Sequence, residues 1–163
     1  MATQTIAELT QTATTVLSTD LNSLANLALV VSTGGTSGVF NNTIAGGGTV
    51  VAAGFEYCDV QLHNAAPGGA FNANSSIDIW FLRSIDGGST FEDGSSSITP
   101  TRPPDASLGL QADSSAHTTC KPDIKLPPGY FKVLAKNNAS GQSLASSGNT
   151  VIIFPHTPQG QAT

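Results

Sequence analysis

Apolar residues along this chain come in short runs, and each run is cut off by glycine, proline or asparagine. LALVVST (residues 27–33) ends at GGTSG, and VFNNTI (39–44) ends at GGG. TVVAAGFEYCDVQLHN (49–64) is the longest extended stretch. Its second half alternates, with Phe55, Tyr57 and Asp59 on one side and Glu56, Cys58, Val60 and Leu62 on the other. Gly54 marks a bend or bulge in it. SIDIWFLRS (76–84) carries Ile77, Ile79 and Phe81 on one side and Trp80 and Leu82 on the other, the pattern of a central strand covered on both faces. After a proline-broken loop at 101–105 come SLGLQAD (107–113), YFKVLAKN (130–137) behind a PPG turn, and NTVIIFPH (149–156).

Seven to nine short strands with turn signals every ~8–12 residues predict an all-β chain, an antiparallel sandwich of jelly-roll type. Residues 27–157 form the sandwich in this reading. Residues 1–26 lack a clear period and read as an extended arm or an edge strand, with ATTVLS (13–18) as its strand and LNSLANLA (21–28) as a short helical turn capped by Asp20. Residues 158–163 read as a flexible tail.

Composition agrees with strands and turns. Only 10% of the 163 residues are charged, against about 25% in ordinary globular chains. Serine, threonine, asparagine and glycine take their place. The net charge of -5 and six basic residues, none before Arg83, cannot build a phosphate-tracking stripe, so no nucleic-acid partner is expected. No apolar run nears the length of a membrane-spanning helix, so no membrane partner is expected. The first twenty residues have no basic region followed by an apolar core, so no secretory signal is expected. Cys58 and Cys120 allow one disulfide at most, and read as two free buried thiols of a protein made in a reducing cytosol.

The stretch Ser84–Phe91, SIDGGSTF, has the S-x-D-x-G-x-T-[WF] spelling of the Asp box, the hairpin motif repeated around sialidase propellers. Every residue of it has a structural job. Asp86 accepts amide hydrogen bonds in the turn, and Gly87 and Gly88 supply positive φ. Ser84 and Thr90 bond across the hairpin mouth, and Phe91 tucks under the turn. One box in 163 residues cannot make a propeller. The chain also has only Arg83 and Arg102, where a sialidase centre has three arginines. The box therefore predicts a hairpin and no catalysis.

Other chemistry is thin. Asp86, Glu92 and Asp93 bunch together but lack Ca²⁺-loop spacing. Cys58-x₄-His63 and His117-x₂-Cys120 add up to a zinc donor set on paper, yet Cys58 and His63 fall on opposite faces of one strand. No G-x-S-x-G elbow and no phosphate loop occurs. The sequence thus yields no enzyme, no cofactor and no metal set. Trp80 reads as a core or subunit-interface residue, with a sugar-stacking platform as the alternative.

Two longer segments, WFLRSIDGGSTFEDGSSS and KLPPGYFKVLAKNNASGQSLASSGNTVIIFP, together resemble small virion structural proteins of tailed bacteriophages. Such chains carry an R-S-x-D-G hairpin in mid-chain, a P-P-G-x-[FY]-K strand, an N-N-x-[ST]-G turn and a final hydrophobic strand. The resemblance spans residues 77–155. It implies a non-enzymatic virion protein, assembled in the host cytoplasm. Its expected role is capsid decoration (cement), stabilising the head across capsomer seams and partnered by the major capsid protein and by itself as a homo-oligomer, a trimer. A neck or tail accessory protein, or a carbohydrate-binding module, is the alternative. The arm anchors Ile6, Leu9, Val16 and Leu17 are the expected capsid contacts, and Trp80 and Phe81 the expected homotypic interface.

Overall fold

A computed structural model describes residues 12–34, 38–42 and 54–157. Among them are nine strands: β1 (Thr14–Leu17), β2 (Leu29–Val31), β3 (Val39–Asn42), β4 (Tyr57–Asn64), β5 (Ser76–Arg83), β6 (Ala106–Gly109), β7 (His117–Lys125), β8 (Gly129–Asn138) and β9 (Thr150–His156). All pairings are antiparallel. One sheet runs β1-β9-β4-β7 and the other β2-β8-β5-β6, with β3 also paired to β8.

β2 and β3 are two halves of one interrupted strand, lying end to end along β8. Ser32 spans the break. Its amide donates to the Val133 carbonyl (2.8 Å), and its hydroxyl accepts from the Val133 amide (3.1 Å) while donating to the Gly38 carbonyl (2.8 Å). Gly38 has φ +76°, and a Cβ there would lie 2.0 Å from the Ser32 carbonyl oxygen, so only glycine fits. With β2 and β3 counted as one, the strands pair first with last, second with seventh, third with sixth and fourth with fifth. That is an antiparallel ribbon rolled up into two sheets, the jelly roll.

Sequence alternation sets the core. β4 and β9 bury every second residue, so Cys58, Val60, Leu62, Val151 and Ile153 point inward. From the other sheet come Ile77, Ile79, Phe81, Phe131 and Val133. Phe131 is fully buried, with its ring centroid 5.7 Å from Phe40 and 5.5 Å from Phe81, the latter edge-on. β5 is covered on both faces, as its pattern predicts. Trp80, Leu82 and Leu134 form a second apolar cluster on the outer face, against Leu29, Val31 and Phe91.

The strand read in ATTVLS is present as an edge strand of the sandwich, Thr14–Leu17, while the structure corrects several other expectations. Val16 and Leu17 are 1% exposed, and Leu21 and Leu24 are buried in the core, so the sandwich starts well before residue 27. Val16 and Leu17 therefore have no surface to offer a capsid. Ile6, Leu9 and the tail 158–163 lie outside the described residues. Asp20 does not cap a helix. The turn at Thr19–Leu21 has no side-chain cap, and the Asp20 carboxylate instead accepts from the amide and hydroxyl of Thr33. β7 has no counterpart among the predicted strands. Its sequence, HTTCKPDIK, is polar and holds a proline, and it forms an exposed sheet edge.

The three-phenyl contact should dominate stability. Replacing Phe131 by Ala should cost ~3–5 kcal/mol, whereas Ile85→Ala, at a side chain 91% exposed, should stay within ~0.5 kcal/mol of the parent. Urea unfolding of the two variants checks this, and equal losses would refute the assignment of the core.

Candidate functional site

The Ser84–Phe91 turn leaves the end of β5 and folds over the outer face of its own sheet. Ser84 anchors it, with its amide on the Tyr130 carbonyl (2.9 Å). The Ser84 hydroxyl donates to Asp86 Oδ1 (2.7 Å) and accepts from the Gly88 amide (2.8 Å). Asp86 Oδ1 also accepts from the amides of Ser89 (3.1 Å) and Thr90 (2.9 Å), and Oδ2 from the Thr90 hydroxyl (2.6 Å). Ser84 and Thr90 thus both bond to Asp86, where the sequence predicts that they bond across the mouth. The Thr90 hydroxyl, the Thr90 amide and the Ser84 hydroxyl hold the Asp86 carboxyl well below the usual carboxylate range.

Gly88 has φ +95° and lies close to the Tyr130 ring, 3.3 Å from where a Cβ would stand. Phe91 packs against Trp80, Leu82 and Leu134, and Lys132 Nζ stands 4.5 Å over its ring. After the turn the chain makes one ladder bond, from the Glu92 amide to the Arg83 carbonyl (2.9 Å). It then runs as a loop to β6, so the motif builds a turn and not the full hairpin that its sequence predicts.

That loop is held by Arg102. Its guanidinium donates to Asp105 (2.7 Å), to the Phe81 carbonyl (2.9 Å) and to Glu92 (3.3 Å). A shallow depression of about 230 Å³ lies beside it, lined by Glu92, Asp93, Pro100, Thr101 and Arg102. Three of the five Arg102 N–H donors are spent on the protein itself, and two carboxylates, Glu92 and Asp93, line the same depression. Asp86, Glu92 and Asp93 do not converge on a cation: Asp86 serves its own turn, and Glu92 pairs with Arg83 and Arg102.

Trp80 and Phe81 are 3% and 1% exposed. Trp80 Nε1 donates to the Arg102 carbonyl (3.1 Å) beneath the loop. Both expected interface residues are therefore interior residues of their own subunit, and Trp80 has no free face for a sugar.

The zinc set suggested by spacing does not assemble. Cys58 points into the core, where burial first and the nearby Asp59 and Asp105 charges second push its thiol up to about 12. Cys120 is exposed, contrary to the expectation of two buried thiols. His63 Nδ1 lies 3.1 Å from the Thr118 hydroxyl, and His117 Nε2 lies 2.8 Å from Asp113. A different set does assemble, which no spacing in the sequence announces. Asp59, Asp123 and His156 come from β4, β7 and β9, and their donor atoms all lie within 4.8 Å of one another.

A β-bulge creates this cluster. Cys58 faces Ile124 and Val60 faces Lys121, so Asp59 is opposed by two residues, Pro122 and Asp123. Asp123 takes up φ +56°, and its amide donates to Asp59 Oδ1 (3.1 Å). His156 Nε2 lies 3.2 Å from the same oxygen and 3.6 Å from Asp123 Oδ1. Tyr57 stacks on the imidazole at 6.2 Å.

No protein-family model matches the chain, and searches of the curated proteins and of the solved structures return no match.

Two measurements test this description. Above the carboxylate's ordinary value of ~3.9 in the unfolded chain, the depressed Asp86 pKa contributes stability. That contribution is lost as pH falls from there toward the lower folded value. Asp86→Asn should therefore melt below the parent at pH 7, and the gap should narrow by pH 2.5; a constant gap would mean that charge is not what Asp86 supplies. A thiol reagent should label one cysteine per native chain, Cys120, and two in denaturant. Labelling of both in the native protein would place Cys58 outside the core.

Proposed function

We propose that the protein is a non-enzymatic virion component, and in particular a capsid decoration protein of a tailed phage that bridges capsomer seams. The observation that carries the reading is how the two resembling segments sit together. The Asp-box turn and the P-P-G-Y-F-K strand are one packed unit: β5 and β8 pair over eight residues, Tyr130 floors the turn, and Lys132 holds Phe91. The jelly roll is an architecture shared by viral capsid domains, lectins and cupins. Fold analogy alone does not fix function, and the resemblance of the packed motif pair is what supports this reading.

The mechanism is passive. With so few charges, retention relies on apolar anchors and on strand addition to sheet edges. Many copies on one lattice turn weak contacts into firm attachment. Ile6 and Leu9 are the proposed arm anchors, and Ile85, in the turn, is the large apolar side chain most exposed among the described residues. The partners are the major capsid protein and further copies of this chain, in a trimer. The sugar-binding alternative rested on Trp80, and with that ring buried the decoration reading stands ahead of it.

Quantitative mass spectrometry of particles from the source of the chain should find hundreds of copies per particle. A few to a few dozen would move the protein to the neck or tail, and none would overturn the virion reading. Removing residues 1–11 should abolish particle binding while leaving the melting transition in place. Removing 1–20 should instead collapse the fold, because Val16 and Leu17 are core residues. Full binding by the shorter truncation would refute the arm.

A further inference from the structure

We propose that Asp59, Asp123 and His156 form a binding site for one divalent transition-metal ion of the zinc type, which clips three neighbouring strands together. The chemistry of the donors points to that class. One imidazole and two carboxylates suit a borderline cation, with water completing the shell. Ca²⁺ takes six to eight oxygen ligands, and an imidazole is out of place among them.

The distances fit. Ligands held at ~2.0–2.2 Å from a tetrahedral centre stand roughly 3.3–3.5 Å apart. His156 Nε2 is 3.2 Å from Asp59 Oδ1 and 3.6 Å from Asp123 Oδ1. A single N–H on Nε2 explains the first of these contacts as a hydrogen bond, but the second is beyond hydrogen-bond range. Among the described residues no lysine or arginine lies within 4.0 Å of either carboxylate. The two acids thus converge on one imidazole with less positive charge than they carry negative, in a protein already at -5. A divalent cation in place of the imidazole proton balances both.

The frame is already built. Asp59 Oδ1 accepts a hydrogen bond from the Asp123 amide, the kind of support that orients metal ligands, and the Tyr57 ring stacks against the imidazole. Side-chain exposure falls from 78% at Asp123 through 43% at Asp59 to 19% at His156, so the site opens to solvent on the Asp123 side and an ion can enter there. β7, the exposed edge strand, is tied to β4 and β9 by such an ion at the bulge where its ladder is broken.

The test uses the full chain in a Cys120→Ser background, which removes the exposed thiol as a competing ligand. Titration with ZnCl₂ at pH 7.5, followed by calorimetry, should give one saturable site per chain and a rise in Tm. Asp59→Asn and His156→Gln should each weaken binding at least ~10-fold, the least that losing even an outer-shell partner of a ligand costs, and abolish the rise in Tm. Asp123→Asn tolerates the same positive φ and should weaken binding while keeping the parent's metal-free Tm, which separates a ligand role from a folding role. Two results would overturn the site: no saturable binding up to millimolar Zn²⁺, or binding at parental strength in both Asp59→Asn and His156→Gln.

Discussion

Strand β8 is hydrogen-bonded along both edges, and the rest of the sandwich is arranged by that constraint. One edge pairs with β5 from Ser76–Asn138 to Arg83–Phe131. The other needs a partner of equal length, which the chain supplies in two pieces, β2 and β3. A strand interrupted in mid-ladder would leave the Val133 amide unpaired in the interior, at a cost of ~1–3 kcal/mol. The Ser32 hydroxyl takes that amide, and Gly38 lets the chain return close enough for the same hydroxyl to bond it. One side chain thereby keeps the sheet continuous across the excursion.

A chain with so few charges must tie its loops by other means, and it uses buried amides. Asn42 holds Phe55 through amide and carbonyl, and also holds the Pro127 carbonyl. Asn137 donates to the carbonyls of Leu24 and Gln142. Asn149 accepts from the Ala65 amide and donates to Asn22 and to the Ala145 carbonyl. An asparagine offers two donors and an acceptor at no cost of desolvating a charge. These residues look like turn formers in the sequence, and several do sit at strand ends, but their energetic role is long-range.

The fold was legible where alternation is strong. β4, β5, β8 and β9 match their apolar patterns closely, and the two-faced covering of β5 could be read from IDIWFL. β7 was not legible, because an exposed edge strand needs no apolar residues and Pro122 reads as a breaker. Val16 and Leu17 were legible only as one of two readings. A few apolar residues in a polar stretch describe a loose arm as well as a short edge strand, and only the pairing of Thr14 with Ile153 decides between them. Trp80 shows a third limit: that it is covered could be read, but what covers it, a loop twenty residues on anchored by Arg102, follows a path no local pattern specifies.

The Asp59–Asp123–His156 cluster was illegible for a related reason. Its members are far apart in sequence and meet only through two strand registers and one bulge. The same bulge does a second job. An exposed edge such as β7 is an invitation to pair with another chain, and a proline and an out-of-line residue are the devices that blunt it. Pro122 removes an amide from the ladder, and Asp123, turned to positive φ, folds its own amide back onto Asp59. The irregularity that protects the edge is thus what brings a second carboxylate to the first, within reach of His156. A straight β7 would lose both the protection and the cluster.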